Sequence, residues 1–247
     1  MKAPVRFAIF HTYEVKCKLF LPGNGVIKRI ILGVHGFAGD KESSMLSRLA
    51  ESATLEETAL VCFDFPAHGE SAHTEDLLTI ANCVQDLLCV AEWTRDQYPD
   101  AERYIFATSF GGYISLLCTN ELSDFSFVLR APAVTMPKCL LNSVLKVTRE
   151  EFERGGVLQC GFERKINLPF AFYEEMLQYD PIKKDYQQQM LIIHGDSDDV
   201  VPYSDVVLFC QRHPQMKFIT IKGADHRFKK PGEVERIIDE TMWFIRG

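Results

Sequence analysis

Short runs of β-branched and aromatic residues alternate with longer stretches of helical period along most of this chain, which restricts the fold to a mostly parallel sheet with helices on both faces. Two early runs, Val5 to Ile9 and Val15 to Leu21, have no helix between them and read as an antiparallel lead-in hairpin. Strands are then expected at Arg29 to Val34, Ala59 to Phe63, Arg103 to Thr108, Phe127 to Arg130, Met190 to His194 and Lys217 to Ile221, about eight in all. Helices fall between them, at Glu42 to Thr54, about Glu75 to Gln97, Phe110 to Thr119, Ser204 to Cys210 and Glu233 to Ile245. In the longest of these, Leu77, Ile80, Ala81, Val84, Leu87, Leu88 and Ala91 lie on one apolar stripe.

One stretch breaks the alternation. From about Ala133 to Leu168 no strand pattern is clear, charges of both signs are mixed, and Gly155-Gly156 interrupts any helix. A long excursion in a compact domain is usually functional or disordered. The expectation is therefore a single domain over residues 1–247 with a lid inserted at about 133–168, a solvated connection being the other reading.

Composition excludes several classes of function. With 47% hydrophobic and 25% charged residues the chain can bury a sizeable core. Its formal charge of -7, with no basic stripe, argues against nucleic acid as a partner. Nowhere do about 18 apolar residues run together, so no spanning helix is expected. Arg6 interrupts the short apolar run near the N-terminus, so no secretory segment is read there and a cytoplasmic location is expected. The 8 cysteines contain no Cys-x-x-Cys and mostly sit in apolar periodic segments, as buried reduced thiols do. No His-Glu-x-x-His is present, and neither metal nor cofactor is expected. No feature of the sequence fixes an oligomeric state.

The chemistry begins at Tyr104-Ile105-Phe106-Ala107-Thr108-Ser109-Phe110-Gly111-Gly112, a buried strand running into a helix through a serine flanked by small residues. This is the setting of a nucleophile elbow, where the residues two before and two after the serine must be small because neighbouring backbone passes close by. Gly111 satisfies that demand, and Ala107 stands where the usual pattern has glycine. Taken alone, Ser109 reads equally well as the cap of the following helix. Downstream lie an acid-rich turn, His194-Gly195-Asp196-Ser197-Asp198-Asp199, and a histidine loop, Gly223-Ala224-Asp225-His226, in the order serine, acid, histidine. Of the three aspartates Asp198, at the tip of its turn, is favoured to orient His226. Asp196 suits backbone amides and Asp199 solvent. The Gly-rich loop His35-Gly36-Phe37-Ala38-Gly39 matches no phosphate-binding spacing. It suits an oxyanion hole formed by the backbone N–H groups of Phe37 and Phe110, with His35 bracing the loop.

Together with Asp64-Phe65-Pro66-Ala67-His68-Gly69-Glu70-Ser71, these blocks resemble the α/β-hydrolase superfamily over roughly residues 15–247. Within it the chain is most similar to small bacterial lid-bearing enzymes, a group that includes cinnamoyl (feruloyl) esterases, monoacylglycerol lipases and serine aminopeptidases. The resemblance implies an α/β-hydrolase fold, with Ser109 as nucleophile, His226 as base, Asp198 as its acid and the Phe37 and Phe110 amides as oxyanion donors. It makes the Asp64 to Ser71 stretch a structural turn beside the site. The implied partner is a small-molecule ester, cleaved through an acyl-enzyme without metal or cofactor. Phe152, Phe162, Phe170 and Phe172, with Tyr173, are candidates to line its pocket, although aromatics there can equally pack the lid on the sheet. An aminopeptidase would bind the substrate amine through a lid carboxylate such as Glu150, Glu151, Glu153 or Glu163. A thioesterase would use the same three residues on acyl thioesters. A ligand-binding relative without turnover would keep the fold alone.

Overall fold

The computed structural model describes residues 2–71, 75–161 and 165–247. The chain enters through the antiparallel pair β1 (Val5–Phe10) and β2 (Glu14–Phe20). Then come β3 (Arg29–Val34), α1 (Ser44–Leu55), β4 (Thr58–Phe63), α2 (Ile80–Gln97), β5 (Glu102–Thr108), α3 (Phe110–Leu117) and β6 (Phe125–Arg130). Between β6 and the next strand of the main sheet lie α4 (Met136–Cys139), a π turn over Leu140–Leu145, α5 (Arg149–Gly155), β7 (Val157–Cys160), β8 (Ile166–Pro169) and α6 (Phe170–Met176). The chain ends with β9 (Met190–Gly195), α7 (Tyr203–Arg212), β10 (Lys217–Ile221) and α8 (Glu233–Arg246).

The eight strands of the main sheet stand in the order β1-β2-β4-β3-β5-β6-β9-β10. β2 pairs antiparallel with both β1 and β4, and every pairing from β4 to β10 is parallel. This is the mostly parallel sheet that the alternation of patterns led us to expect, in the α/β-hydrolase arrangement that the resemblance implies. Strand residues alternate between two cores: Ile30, Leu32 and Val34 of β3 join one, and Ile31 joins the other. The first core takes the apolar stripes of α2, α3 and α7, and the second those of α1 and α8, so helices cover both faces. Strands buried on both sides read as continuous apolar runs, as in Thr58–Phe63, where every residue is buried.

Two sequence expectations are corrected. The long helix begins at Ile80, because Thr79 is extended and its hydroxyl accepts the Asn82 amide as an N-cap, while Glu75–Leu77 forms a separate 3₁₀ turn. The stretch from 133 to 168, read as lacking strands, holds the antiparallel ribbon of β7 and β8. Each of its strands is four residues long, too short for a period of two to stand out, and Val157 at its start is 54% exposed. Gly156, with φ 69°, does end a helix, α5, whose start is fixed by a reciprocal capping box between Thr148 and Glu151. All 8 cysteines are free thiols and six are buried. Among the described residues no helix is long and apolar enough to cross a membrane.

A buried carboxylate ties the lead-in hairpin to α2. Asp86 accepts hydrogen bonds from Tyr13 Oη (2.7 Å) and His11 Nε2 (2.8 Å) through one oxygen, while its other oxygen has no partner. Burial, opposed by these two donors, raises its pKa from the ordinary 3.8 to about 6. An acid whose pKa is raised by folding destabilises the fold when ionised. That cost is full above about pH 6, shrinks as pH falls and is gone below the unfolded value. Asp86→Asn removes the titration and keeps an acceptor for both donors. We expect wild-type stability to gain about 2 kcal/mol relative to this variant as pH falls from 7.5 to 4. Urea unfolding of both proteins at the two pH values checks this, and a pH-independent difference would contradict it.

Candidate active site

All the residues singled out for chemistry stand at the carboxyl ends of the parallel strands, where open α/β sheets carry their sites. Ser109 occupies the turn from β5 into α3 with φ 51° and ψ -113°, a conformation that sterics disfavour for any residue with a side chain. Its side chain makes no cap bond to the helix. The hydroxyl instead lies 3.1 Å from His226 Nε2, and His226 Nδ1 lies 2.7 Å from Asp198 Oδ2. Of the three aspartates, Asp198 is thus the one that meets the imidazole. Asp196 turns its carboxylate to the Gly223 amide, strapping the acid turn to the histidine loop.

The close approaches that make this turn possible are visible at two glycines. A Cβ on Gly111 would sit 2.4 Å from the His35 carbonyl oxygen and 2.8 Å from that of Val34. A Cβ on Gly195 would sit 2.3 Å from the Ala224 carbonyl oxygen. Ala107, the departure from the usual pattern, is fully buried and pairs in register with Val34 and Leu129, so its methyl is accommodated in the sheet.

Asp198 is buried, and burial alone would raise its pKa. The bond from His226 and the amide of Val201 outweigh that and hold it below the ordinary carboxylate range. Its second oxygen accepts the Val200 (2.9 Å) and Val201 (2.7 Å) amides. His194 adds a second imidazole 3.3 Å from Asp198 Oδ2 while bonding the Val201 carbonyl at 3.1 Å. Burial lowers the pKa of His194 despite the nearby carboxylate, which favours the neutral ring. With a carboxylate on Nδ1, the proton of a neutral His226 is held on that nitrogen, and Nε2 is left to accept from Ser109.

The amides of Phe37 and Phe110 meet no acceptor among the described residues. The loop that carries Phe37 is braced by two histidines. His35 Nε2 accepts the Phe65 amide (3.1 Å), and His68 Nε2 accepts the Ala38 amide (3.0 Å) while its Nδ1 donates to the Pro66 carbonyl (2.7 Å). Ala38 itself has φ 58°. Beneath them the fully buried Lys41 ammonium pairs with Asp64 and with Glu70 (2.9 Å). The sequence marks the Asp64 to Ser71 block as a structural turn but does not reveal the bracing roles of His68 within it or of Lys41 outside it. The histidine three residues after proline-adjacent Phe65 was the available signal.

The aromatic candidates divide. Phe172, on α6, packs against Phe37 (6.3 Å between centroids) and Phe110 (6.2 Å). Phe152 and Phe170 form a separate buried cluster with Tyr173. Phe162 lies outside the described residues, as does Glu163. Among the described residues no group of three metal-ligating side chains comes together.

A family model for serine aminopeptidase, S33, matches residues 25–158, more than half of the chain. The chain belongs to this family. It is a hydrolase of the α/β-hydrolase superfamily; Ser109 lies inside the matched stretch, and Asp198 and His226 lie beyond it. A comparison with curated proteins finds no match. Among solved structures, Est1E from Butyrivibrio proteoclasticus with ferulic acid bound superposes with a TM-score of 0.86 at 20% identity, covering 98% of this chain and 100% of that one. Alpha/beta hydrolase domain-containing protein 10 from mouse gives 0.78 at 18%, covering 98% of each chain. The esterase domain of a Rhodothermus marinus protein gives 0.75 at 18%, covering 100% of this chain and 98% of that one. At such identities the likeness speaks for the fold.

Gly111→Ala tests the close approach on which this geometry rests. With carbonyl oxygens of β3 and its loop in the way, backbone must move, and we expect a loss of at least about 2 kcal/mol. Urea denaturation measures it, and a stability within about 0.5 kcal/mol of wild type would show the approach to be soft.

Proposed function

We propose that this hydrolase cleaves carboxylic esters of small acyl or aryl acids, with Ser109 as nucleophile, His226 as general base and Asp198 as the acid that orients it. The observation carrying the proposal is the unbroken line of hydrogen bonds from Asp198 through His226 to Ser109. As the Ser109 oxygen attacks the ester carbonyl, its proton passes to His226 Nε2, and the imidazolium is stabilised by Asp198. The amides of Phe37 and Phe110 donate to the oxygen that gains charge in the tetrahedral intermediate. His226 then returns the proton to the departing alcohol. Water, activated by the same imidazole, releases the acid from Ser109.

Phe172 is the aromatic we propose to contact the substrate, because it packs on both oxyanion residues. In this reading Phe152 and Phe170 act through packing, and the stretch after β6 serves as a lid on a single domain spanning 1–247. Ferulic acid bound to Est1E makes hydroxycinnamoyl esters a rational first panel. The family's name suggests peptide substrates, but the described candidates to hold a free amine are solvent-facing. Glu150, Glu151 and Glu153 are exposed, and Glu151 is committed to its capping box.

Two measurements test the reading. Ser109→Ala should lower kcat on an aryl ester by about a thousandfold or more and abolish labelling by a fluorophosphonate; turnover near wild type would refute the nucleophile. On a matched panel, aryl esters should be cleaved in preference to amino-acid arylamides and acyl thioesters. The reverse order would move the substrate class while leaving the nucleophile in place.

A further inference from the structure

At the end of β6, behind the line from Asp198 to Ser109, lies an arginine that the proposed reaction does not use. Arg130 is only 8% exposed. Its backbone carbonyl accepts the Ser109 amide (3.0 Å), and its side chain reaches the other way, Nη2 donating to the backbone carbonyl of His226 at 3.3 Å. One residue therefore grips the main chain beneath both the hydroxyl and the imidazole.

The guanidinium also lies over the Phe228 ring, 4.6 Å from its centroid. Phe228 is buried and has φ 54°, a left-handed conformation that is costly for a bulky residue. The turn that carries His226 is closed by Phe228 N–H to Asp225 C=O (3.2 Å). Arg130 thus holds a strained turn at two points, the His226 carbonyl and the Phe228 ring. A methionine would fill this space with less desolvation, for burial lowers the guanidinium pKa to about 10 and its Nε has no partner. What the arginine adds is a directed donor and a positive charge.

That charge has Asp198 and Asp225 within electrostatic reach, although neither is in salt-bridge contact with it. The titratable groups around His226 are Asp198 and its own loop's Asp225, which pairs with Lys229, together with His194 from β9 and Arg130 from β6. Cys139, on α4, is near enough to Asp198 to be influenced by it.

We propose that Arg130 is a positioning residue for the base. It fixes the His226 turn against the nucleophile strand, and it sets a positive charge within reach of Asp198, the carboxylate that orients the base. The inference rests on the serine hydrolase reading given above. A positive charge disfavours a second one nearby, so its removal should move the acid limb of the activity profile upward.

The test compares Arg130→Met, Arg130→Lys, Phe228→Leu and Ser109→Ala with wild type, by kcat and KM on an aryl ester across pH, by the rate of fluorophosphonate labelling and by circular dichroism. Arg130→Met should lose about ten- to a hundredfold in kcat and in labelling rate with KM within about twofold, and its acid limb should rise by about half a pH unit or more. Arg130→Lys should leave the limb in place yet lose part of kcat, because an ammonium cannot both reach the His226 carbonyl and cover the Phe228 ring. Phe228→Leu should behave like Arg130→Lys. Wild-type kcat in Arg130→Met overturns the proposal. So does a lowered kcat with an unmoved limb, which would mark Arg130 as serving the fold alone. Should Arg130→Met fail to fold, unchanged kcat in both Arg130→Lys and Phe228→Leu overturns it equally. An inactive Ser109→Ala beside an unaffected Arg130→Met removes only the role of Arg130, whereas an active Ser109→Ala removes the underlying reading and this role with it.

Discussion

The site depends on the contact between the end of β3 and the start of α3, where the His35 and Val34 carbonyls press against Gly111. Because no side chain intervenes, the chain can turn sharply at Ser109 and present its hydroxyl above the sheet. That turn is strained, with φ of 51° at a residue that has a Cβ, and it persists because neighbouring bonds over-determine it. The Ser109 amide is held by Arg130 C=O, and its carbonyl accepts from both Tyr113 and Ala133. The same approach brings the loop carrying Phe37 beside Phe110, so the candidate nucleophile and the candidate oxyanion donors are placed by one packing event.

Around this contact the protein spends buried polar groups to hold loops, not to fill a core. His35, His68, Lys41 and Asp64 lie deep in the protein, and each bonds to the loops near Phe37 or Phe65. Asp198 collects two amides and two imidazoles. Such groups are expensive to bury unless their bonds are complete. Two of the unpaired buried atoms, His194 Nδ1 and Arg130 Nε, belong to residues that adjoin Asp198 and His226. Precision in placing an imidazole between a hydroxyl and a carboxylate is what this arrangement supplies.

The fold was legible because the parallel strands are buried on both faces and announce themselves as short apolar runs. The geometry at Ser109, Asp198 and His226 was legible for a different reason: each follows a strand and has a glycine close by, Gly111 and Gly195 where backbone approaches closely and Gly223 where φ is 73°. What stayed hidden depended on contacts distant in sequence. Nothing in the letters Leu129-Arg130-Ala131 says that the arginine points at a carbonyl 96 residues away. The β7–β8 ribbon was missed because four-residue strands with an exposed edge carry too little pattern. Thr79 and the Thr148–Glu151 capping box were readable from local chemistry, since each is a hydroxyl placed three residues before the amide it caps.

In the proposed reading, the excursion after β6 serves both packing and recognition. Its Phe152, Phe170 and Tyr173 close on one another, which gives the ribbon and helices a small core of their own. Glu175 on α6 accepts the Ile80 and Ala81 amides at the start of α2, satisfying two donors that a helix N-terminus leaves open. Tyr113 on α3 donates to the Met176 carbonyl. With α6 fixed at these points to the scaffold helices, Phe172 is held against Phe37 and Phe110 instead of swinging with a free loop. A substrate group lodged there would meet a wall whose position is set by α2 and α3, the latter being the helix that begins at Ser109. Changes to the α6 anchors should therefore alter substrate fit without touching the residues that move protons.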